Sequence, residues 1–167
     1  MVPLNSGCAV IVMAKAPMPG LAKTRLIPAL GAEGAAALAA RMLRHAVAEA
    51  LAADVGPVTL CAAPDLSHPV FRELAQDRRL VPAEQSEGDL GARMLRAFQQ
   101  ALATHGSALL IGTDAPDLDA ATLRAARDAL ASHDAVIIPA HDGGYALIGL
   151  HRAEPSLFEA MPWSTPQ

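Results

Sequence analysis

The chain has 167 residues, 52% of them hydrophobic and 18% charged, with a formal net charge of −4. That size and apolar content predict one globular domain over residues 1–167 and exclude a disordered chain. The negative balance argues against a general nucleic-acid binder, so a cluster of cations in it is local and suited to a small anion.

Two cysteines, Cys8 and Cys61, lie in separate apolar runs without metal-ligand spacing. They read as reduced core residues of a cytoplasmic protein. No apolar run approaches the ~20 residues of a membrane span. The first run is short and has no basic segment ahead of it, which argues against a signal peptide. There is no internal repeat, low-complexity tract or linker, and nothing sets the oligomeric state.

Cys8-Ala9-Val10-Ile11-Val12 predicts a buried strand. The run from Met13 to Leu26 that follows is too polar and too rich in proline for a core segment. Pro17 and Pro19 fix φ and push Ala16 and Met18 out of the helical region, and Gly20 allows a turn or a close approach to a ligand. Lys15, Lys23 and Arg25 crowd this loop. Cations on a stiff loop at a strand end suit a phosphate; the plain alternative is solvated lysines on an exposed loop.

Gly31 to Asp54 predicts a long alanine-rich helix with the stripe Leu38, Met42, Leu43, Val47 and Leu51, ended by Gly56-Pro57. Arg41, Arg44 and Glu49 fall off the stripe and read as solvated. Val58 to Ala62 is a second strand. Ser67 is placed to cap a short helix holding Val70, Phe71 and Leu74. Leu80-Val81-Pro82 is a third strand, at an edge because Pro82 cannot donate to a ladder.

The polar loop Glu84 to Gly91 leads into a helix with Met94, Leu95, Phe98 and Leu102 on one side. Ser107 to Gly112 is the strongest strand, and Thr113 to Leu118 the loop at its end. Asp119 caps a helix packed through Leu123, Ala126 and Leu130. Ala135–Pro139 and Tyr145–Leu150 are strands joined by a short turn, hence antiparallel though not of necessity adjacent. Pro155 to Ala160 is a last short helix. Strands alternating with helices make an α/β, three-layer sandwich with a mostly parallel sheet and one antiparallel strand.

In such a sheet the loops after the strand ends share one edge, where ligands bind. Three are chemically loaded: Lys15 to Arg25, Thr113 to Asp117, and His141 to Tyr145. Asp114, leaving a buried strand beside the cationic loop, suits Mg²⁺ or Mn²⁺ shared with phosphate oxygens. The alternative is a turn residue ahead of Pro116. Asp117 and Asp119 read as turn and cap residues. Asp142 is the candidate base or second metal ligand, and Gly143 and Gly144 let backbone N–H groups approach an acceptor; an ordinary Gly-Gly turn is the competing reading. Tyr145 could line the pocket or simply pack.

Other motifs fail. Gly20-Leu21-Ala22-Lys23-Thr24 lacks the glycine before Lys23 that a P-loop needs, and Pro17 stands where its first glycine belongs. No G-x-G-x-x-G follows the first strand, and no G-x-S-x-G elbow occurs. The six histidines are scattered, and His141 reads as a polar loop residue.

Five stretches together resemble a known family. They are Lys15-Ala16-Pro17-Met18-Pro19-Gly20-Leu21-Ala22-Lys23-Thr24-Arg25-Leu26, Gly88-Asp89-Leu90-Gly91-Ala92-Arg93-Met94, Ile111-Gly112-Thr113-Asp114-Ala115-Pro116-Asp117-Leu118, Pro139 through Leu150, and Trp163-Ser164-Thr165. The family is a bacterial group of small glycosyltransferase-A-like proteins. Members are generally labelled glycosyltransferases, and some are associated with arsenosugar biosynthesis. It is distantly related to 2-phospho-lactate guanylyltransferase and molybdenum cofactor guanylyltransferase. The resemblance implies a nucleotide-diphospho-sugar transferase (GT-A, Rossmann-like) fold and Mg²⁺ or Mn²⁺ as cofactor. It implies nucleotide contacts from Lys15, Pro19, Gly20, Lys23, Thr24, Arg25, Gly91 and Thr113. Asp114 takes the place of the metal-binding and catalytic acid, with Asp142 as its catalytic companion and Gly143, Gly144 and Tyr145 on the acceptor side.

Two departures matter. Relatives often carry Cys where this chain has Ala115, which weakens thiol chemistry there. The family usually continues past Trp163-Ser164-Thr165 with a strand and helix, so the resemblance implies a chain truncated at Gln167. Three readings follow: transfer of a sugar from a nucleotide sugar to a small acceptor, transfer of a nucleoside monophosphate to a phosphorylated acceptor, and a nucleotide-binding module without turnover.

Overall fold

The structure is a computed structural model and describes residues 5–140 and 144–159. Strands are β1 (Asn5–Lys15), β2 (Val58–Ala63), β3 (Leu80–Glu84), β4 (His105–Ile111), β5 (Ala135–Pro139) and β6 (Tyr145–Leu150). Helices are α1 (Ile27–Ala53), α2 (Pro69–Leu74), α3 (Leu90–Leu102), α4 (Ala120–Leu130) and α5 (Pro155–Glu159). His141, Asp142, Gly143 and the Trp163-Ser164-Thr165 stretch lie outside the described residues.

The strands form one sheet in the order β3-β2-β1-β4-β6-β5. β1 runs parallel to β2 and β4, and β2 parallel to β3. Among the described strands β6 alone is reversed, pairing antiparallel with β4 and β5. The two strands of the last hairpin are neighbours, Ala135 opposite Leu150 and Pro139 opposite Tyr145. β3 is an edge strand, as Pro82 requires.

Alternation along β1 divides the core. Val10, Val12 and Ala14 join Leu43, Val47, Phe71 and Leu123 on the side of α1, α2 and α4. Ala9, Ile11 and Met13 join Met94, Phe98 and Phe158 on the side of α3 and α5. A strand covered on both faces must be apolar at every position, hence the unbroken apolar run. Phe71 and Phe98 are fully buried, each contributing about 1.5–3 kcal/mol of apolar transfer.

The inner side of α1 is mostly alanine: Ala35, Ala36, Ala46, Ala50 and Ala53, with Leu43 and Val47. Small side chains bring the helix close to the sheet. Its first turns are interrupted at Gly31, where φ is 75° and ψ 164°, so the helical run begins before the glycine rather than at it. The stop also differs from the sequence expectation. Asp54 takes the left-handed conformation (φ 51°, ψ 42°) and closes the helix ahead of Gly56. Gly56 meets a different need: a Cβ there would sit 2.0 Å from the Cys8 carbonyl oxygen.

By length and composition alone, Thr24–Ala53 would pass for a membrane-crossing helix, with a hydropathy of 1.3. The expectation that no segment qualifies is corrected to that extent. The second half of α1 nonetheless carries a buried face against the sheet, as a core helix does.

Three local assignments change. His68, not Ser67, caps α2: its Nδ1 accepts from the Val70 N–H at 3.1 Å. Pro69 holds His68 extended, the cap conformation, while Ser67 donates to Asp65 instead. Arg44 is not simply solvated but donates to Glu73 at 2.8 Å. Glu49 is half-buried and accepts the Ala120 N–H at 2.8 Å, tying α1 to the start of α4.

Candidate functional site

The carboxyl ends of β1, β2, β3 and β4 open into one cavity of about 1410 Å³. Its walls include Lys15, Met18, Gln85, Arg93, Thr113, Asp114, Gly144 and Tyr145.

The first loop is shaped by its prolines and by short-range bonds. Ala16 N–H donates to the Ala63 carbonyl at 2.8 Å, carrying the β1–β2 ladder one step past the strand. Leu21 and Ala22 N–H both reach the Met18 carbonyl at 3.0 Å, closing a turn over Pro19 and Gly20. Gly20 sits at φ 85°, which only glycine adopts without strain. Lys23 follows at φ 47°, ψ 50°. A non-glycine residue held in the left-handed region is uncommon, and such positions gather at functional sites.

That backbone delivers the ammonium of Lys23 to Asp114, Nζ to Oδ1 at 2.7 Å across 91 residues of sequence. The lysine side chain is 16% exposed and the carboxylate 80%. Sequence reasoning placed a cation and an acid on adjacent loops; the structure brings them into direct contact.

The Asp114 loop is held from below. Leu118 is buried, and its N–H closes a turn on the Ala115 carbonyl at 3.0 Å. His45 of α1 bonds the Pro116 carbonyl at 3.0 Å. Asp119 caps α4 by accepting from the Thr122 N–H at 2.9 Å and from its hydroxyl at 2.7 Å. Those bonds, the backbone one first, hold its carboxyl below the usual range. The carboxylates of Asp119 and Glu49 are thus spent on the scaffold, while that of Asp114 is presented to solvent.

A second framework stands at the β3 side. Gln85 N–H continues the β2–β3 ladder to the Ala62 carbonyl at 2.9 Å. Its Nε2 donates to the carbonyls of Ala14 and Cys61, both at 3.1 Å. Arg93 donates from Nε to the Gly88 carbonyl at 2.9 Å and from Nη1 to Gln85 Oε1 at 3.4 Å. The sequence reading gave no role to Gln85, nor to Arg93 beyond its place in the Gly88–Met94 stretch. The available signal was a polar loop leaving a strand, with an arginine in the first turn of the next helix.

The remaining candidates divide. Lys15, Thr113, Gly144 and Tyr145 line the cavity with Asp114. Lys23 reaches it through Asp114. Pro19, Gly20, Thr24 and Arg25 are exposed and are not among its lining residues. Gly91 is buried in the first turn of α3. Asp142 and Gly143 lie outside the described residues. Cys8 and Cys61 are buried free thiols, each raised above the ordinary value by desolvation.

Among the described residues no three His, Cys, Asp or Glu side chains cluster as a metal site. Glu87, Asp89 and Asp117 line the cavity without forming such a cluster, and Asp114 is an exposed carboxylate already opposed by Lys23. That set fits an ion that draws most of its ligands from phosphate and water, and does not fit a cage made by protein alone.

A mixed six-stranded α/β sheet with its cavity at the carboxyl ends is the nucleotide-diphospho-sugar transferase-like architecture. The chain belongs to the family described as "Uncharacterized protein conserved in bacteria (DUF2064)", whose model matches residues 32–165. It is similar to the crystal structure of a "putative nucleotide-diphospho-sugar transferase" from Desulfovibrio desulfuricans G20. The TM-score is 0.85 at 30% identity, over 97% of this chain and 71% of that one. Two other structures share the fold alone. One is the 4-diphosphocytidyl-2C-methyl-D-erythritol synthase of Anaerococcus prevotii, with a TM-score of 0.60 at 9% identity, covering 98% of this chain and 81% of that one. The other is a cytidylyltransferase of Leptospira borgpetersenii, with a TM-score of 0.59 at 13% identity, covering 93% and 63%. No protein of curated function matches the sequence.

Proposed function

We propose that this protein is a metal-dependent transferase that takes a nucleotide sugar as donor and passes the sugar to a small acceptor. The observation that carries the reading is the Lys23–Asp114 pair at the mouth of the cavity. A cation and a carboxylate that neutralise each other at rest are the two groups a diphosphate and its counter-ion would engage. Lys23 would donate to phosphate oxygens, and Lys15, on the same cavity, would add a second positive charge. Thr113 lines the cavity beside them. Pro19, Gly20, Thr24, Arg25 and Gly91 complete the proposed nucleotide contacts by their place in the sequence motifs.

Asp114 would hold Mg²⁺ or Mn²⁺ together with the phosphates, and the ion would offset charge on the departing diphosphate. Asp142, with Gly143, Gly144 and Tyr145, is assigned to the acceptor side, Asp142 as the base that takes the acceptor's proton. Similarity to the Desulfovibrio protein supports a nucleotide-sugar donor.

The test is product analysis by mass spectrometry after incubation with nucleotide sugars or nucleoside triphosphates, Mg²⁺ or Mn²⁺, and a panel of small hydroxyl and phosphate acceptors. Glycosylated acceptor plus nucleotide supports the proposal. Nucleotidylated acceptor plus pyrophosphate replaces it with nucleotidyl transfer. Metal-dependent binding without turnover leaves a binding module.

A further inference from the structure

We propose that Arg93, set by Gln85, forms a second anion-binding subsite in the cavity, for a phosphate or carboxylate group of a substrate. This rests on the transferase reading for its biological use, but not for its chemistry. Four salt bridges occur among the described residues: Lys23–Asp114, Arg44–Glu73, Arg79–Asp77 and Arg127–Asp128. Arg93 is in none of them. The other arginines without an acid partner are exposed on the surface, whereas Arg93 is half-buried in the cavity wall. A cation held in the cavity wall with no ion-pair partner among the described residues is a ready contact for an anionic ligand.

The guanidinium is also oriented in advance. Its Nε is engaged by the Gly88 carbonyl and its Nη1 by Gln85 Oε1, which leaves Nη2 without a partner among the described residues. Gln85 is itself held by three bonds to the ends of β1 and β2. Glu87 and Asp89 line the same cavity. Asp89 caps α3 by accepting from the Ala92 N–H at 2.8 Å, and neither it nor Glu87 forms an ion pair with Arg93. With Nε and Nη1 engaged, Nη2 is the nitrogen placed to donate a charge-assisted bond to an oxygen of phosphate or carboxylate.

The subsite is distinct from the Lys23–Asp114 end. Gln85 Nε2 grips carbonyls of β1 and β2, whereas Asp114 follows β4, the neighbour of β1 on the other side. One to two strand spacings, about 5–10 Å, therefore separate them across the sheet. An anion at each end would be held by a different cation.

The experiment is calorimetric titration of the full chain with inorganic phosphate and with pyrophosphate, comparing wild type, Arg93→Gln, Arg93→Lys and Lys23→Met. Arg93→Gln should lose phosphate affinity by about tenfold, the scale of a charged hydrogen bond. Arg93→Lys, which keeps the charge, should recover part of it; a residue needed only for folding would not behave so. Phosphate affinity unchanged in Arg93→Gln, or lost in Lys23→Met alone, overturns the subsite. Repeating the titration on protein saturated with a nucleoside diphosphate separates two sources of the anion. Phosphate binding that persists assigns the subsite to the second substrate. Competition, with diphosphate affinity also reduced in Arg93→Gln, assigns it to the nucleotide's own phosphate. Failure of every nucleotide to bind would refute the transferase reading and leave the inorganic-phosphate comparison intact.

Discussion

Replacing Lys23 by Met separates its resting contact from its proposed working one. Methionine keeps the length of the stem and meets the same backbone demand at φ 47°. At rest the side chain loses one ion pair whose carboxylate partner is 80% exposed. A pair so well solvated is worth no more than about 1 kcal/mol, so the urea midpoint should hardly move. In the bound state the ammonium would make a charge-assisted bond to phosphate, worth about 1.5–3 kcal/mol. Breaking the Asp114 pair first takes back up to about 1 kcal/mol. The net loss is about 0.5–3 kcal/mol, or roughly 2- to 150-fold in Kd.

The same cycle gives Asp114→Asn opposite signs in two conditions. Without metal, Lys23 is released from its partner, and affinity for a nucleoside diphosphate should rise by up to about fivefold. With Mg²⁺ present, the gain that the ion brings to wild type should vanish, because a neutral amide is a poorer ligand for a hard cation. Titration calorimetry with nucleoside diphosphates, with and without Mg²⁺, reads both. Wild-type affinity in Lys23→Met, or weaker metal-free binding in Asp114→Asn, would refute the reasoning.

Two further expectations concern the scaffold. Gly56→Ala should cost about 2–3 kcal/mol in urea unfolding, because its Cβ would meet the Cys8 carbonyl at 2.0 Å and a strand backbone cannot swing aside; a loss under about 0.5 kcal/mol would show that β1 yields freely. Cys8 and Cys61 should resist iodoacetamide at pH 8 in the native state and react in urea, since burial raises both and keeps the thiols protonated; rapid native labelling would contradict that.

What the sequence determined by itself is what short-range chemistry controls. Unbroken apolar runs such as Ala9 to Val12, closed by a Pro/Gly cluster, read as strands covered on both faces, and their alternation with amphipathic helices pointed to a mostly parallel sheet. Pro82 marked an edge because an imide cannot donate to a ladder. Asp119 was legible as a cap because its bonds span three residues. The loops carrying Lys15, Lys23 and Asp114 were legible because parallel strands put their carboxyl ends on one edge.

Only the tertiary structure decided which side chains meet across that edge. Lys23 and Asp114 are 91 residues apart, and their contact depends on a left-handed backbone that no local pattern around Lys23 announces. Glu49 looks like any charge on the outer face of a helix until α4 brings the Ala120 N–H to it. Gly56 reads as a helix stop until the Cys8 carbonyl is seen against it. Gln85 and Arg93 carried no spacing signal, because apart from their contact with each other their partners are backbone carbonyls, and every residue offers one. Hydrogen bonds to the backbone leave no mark in side-chain composition, so their placement appears only once the strands are laid side by side.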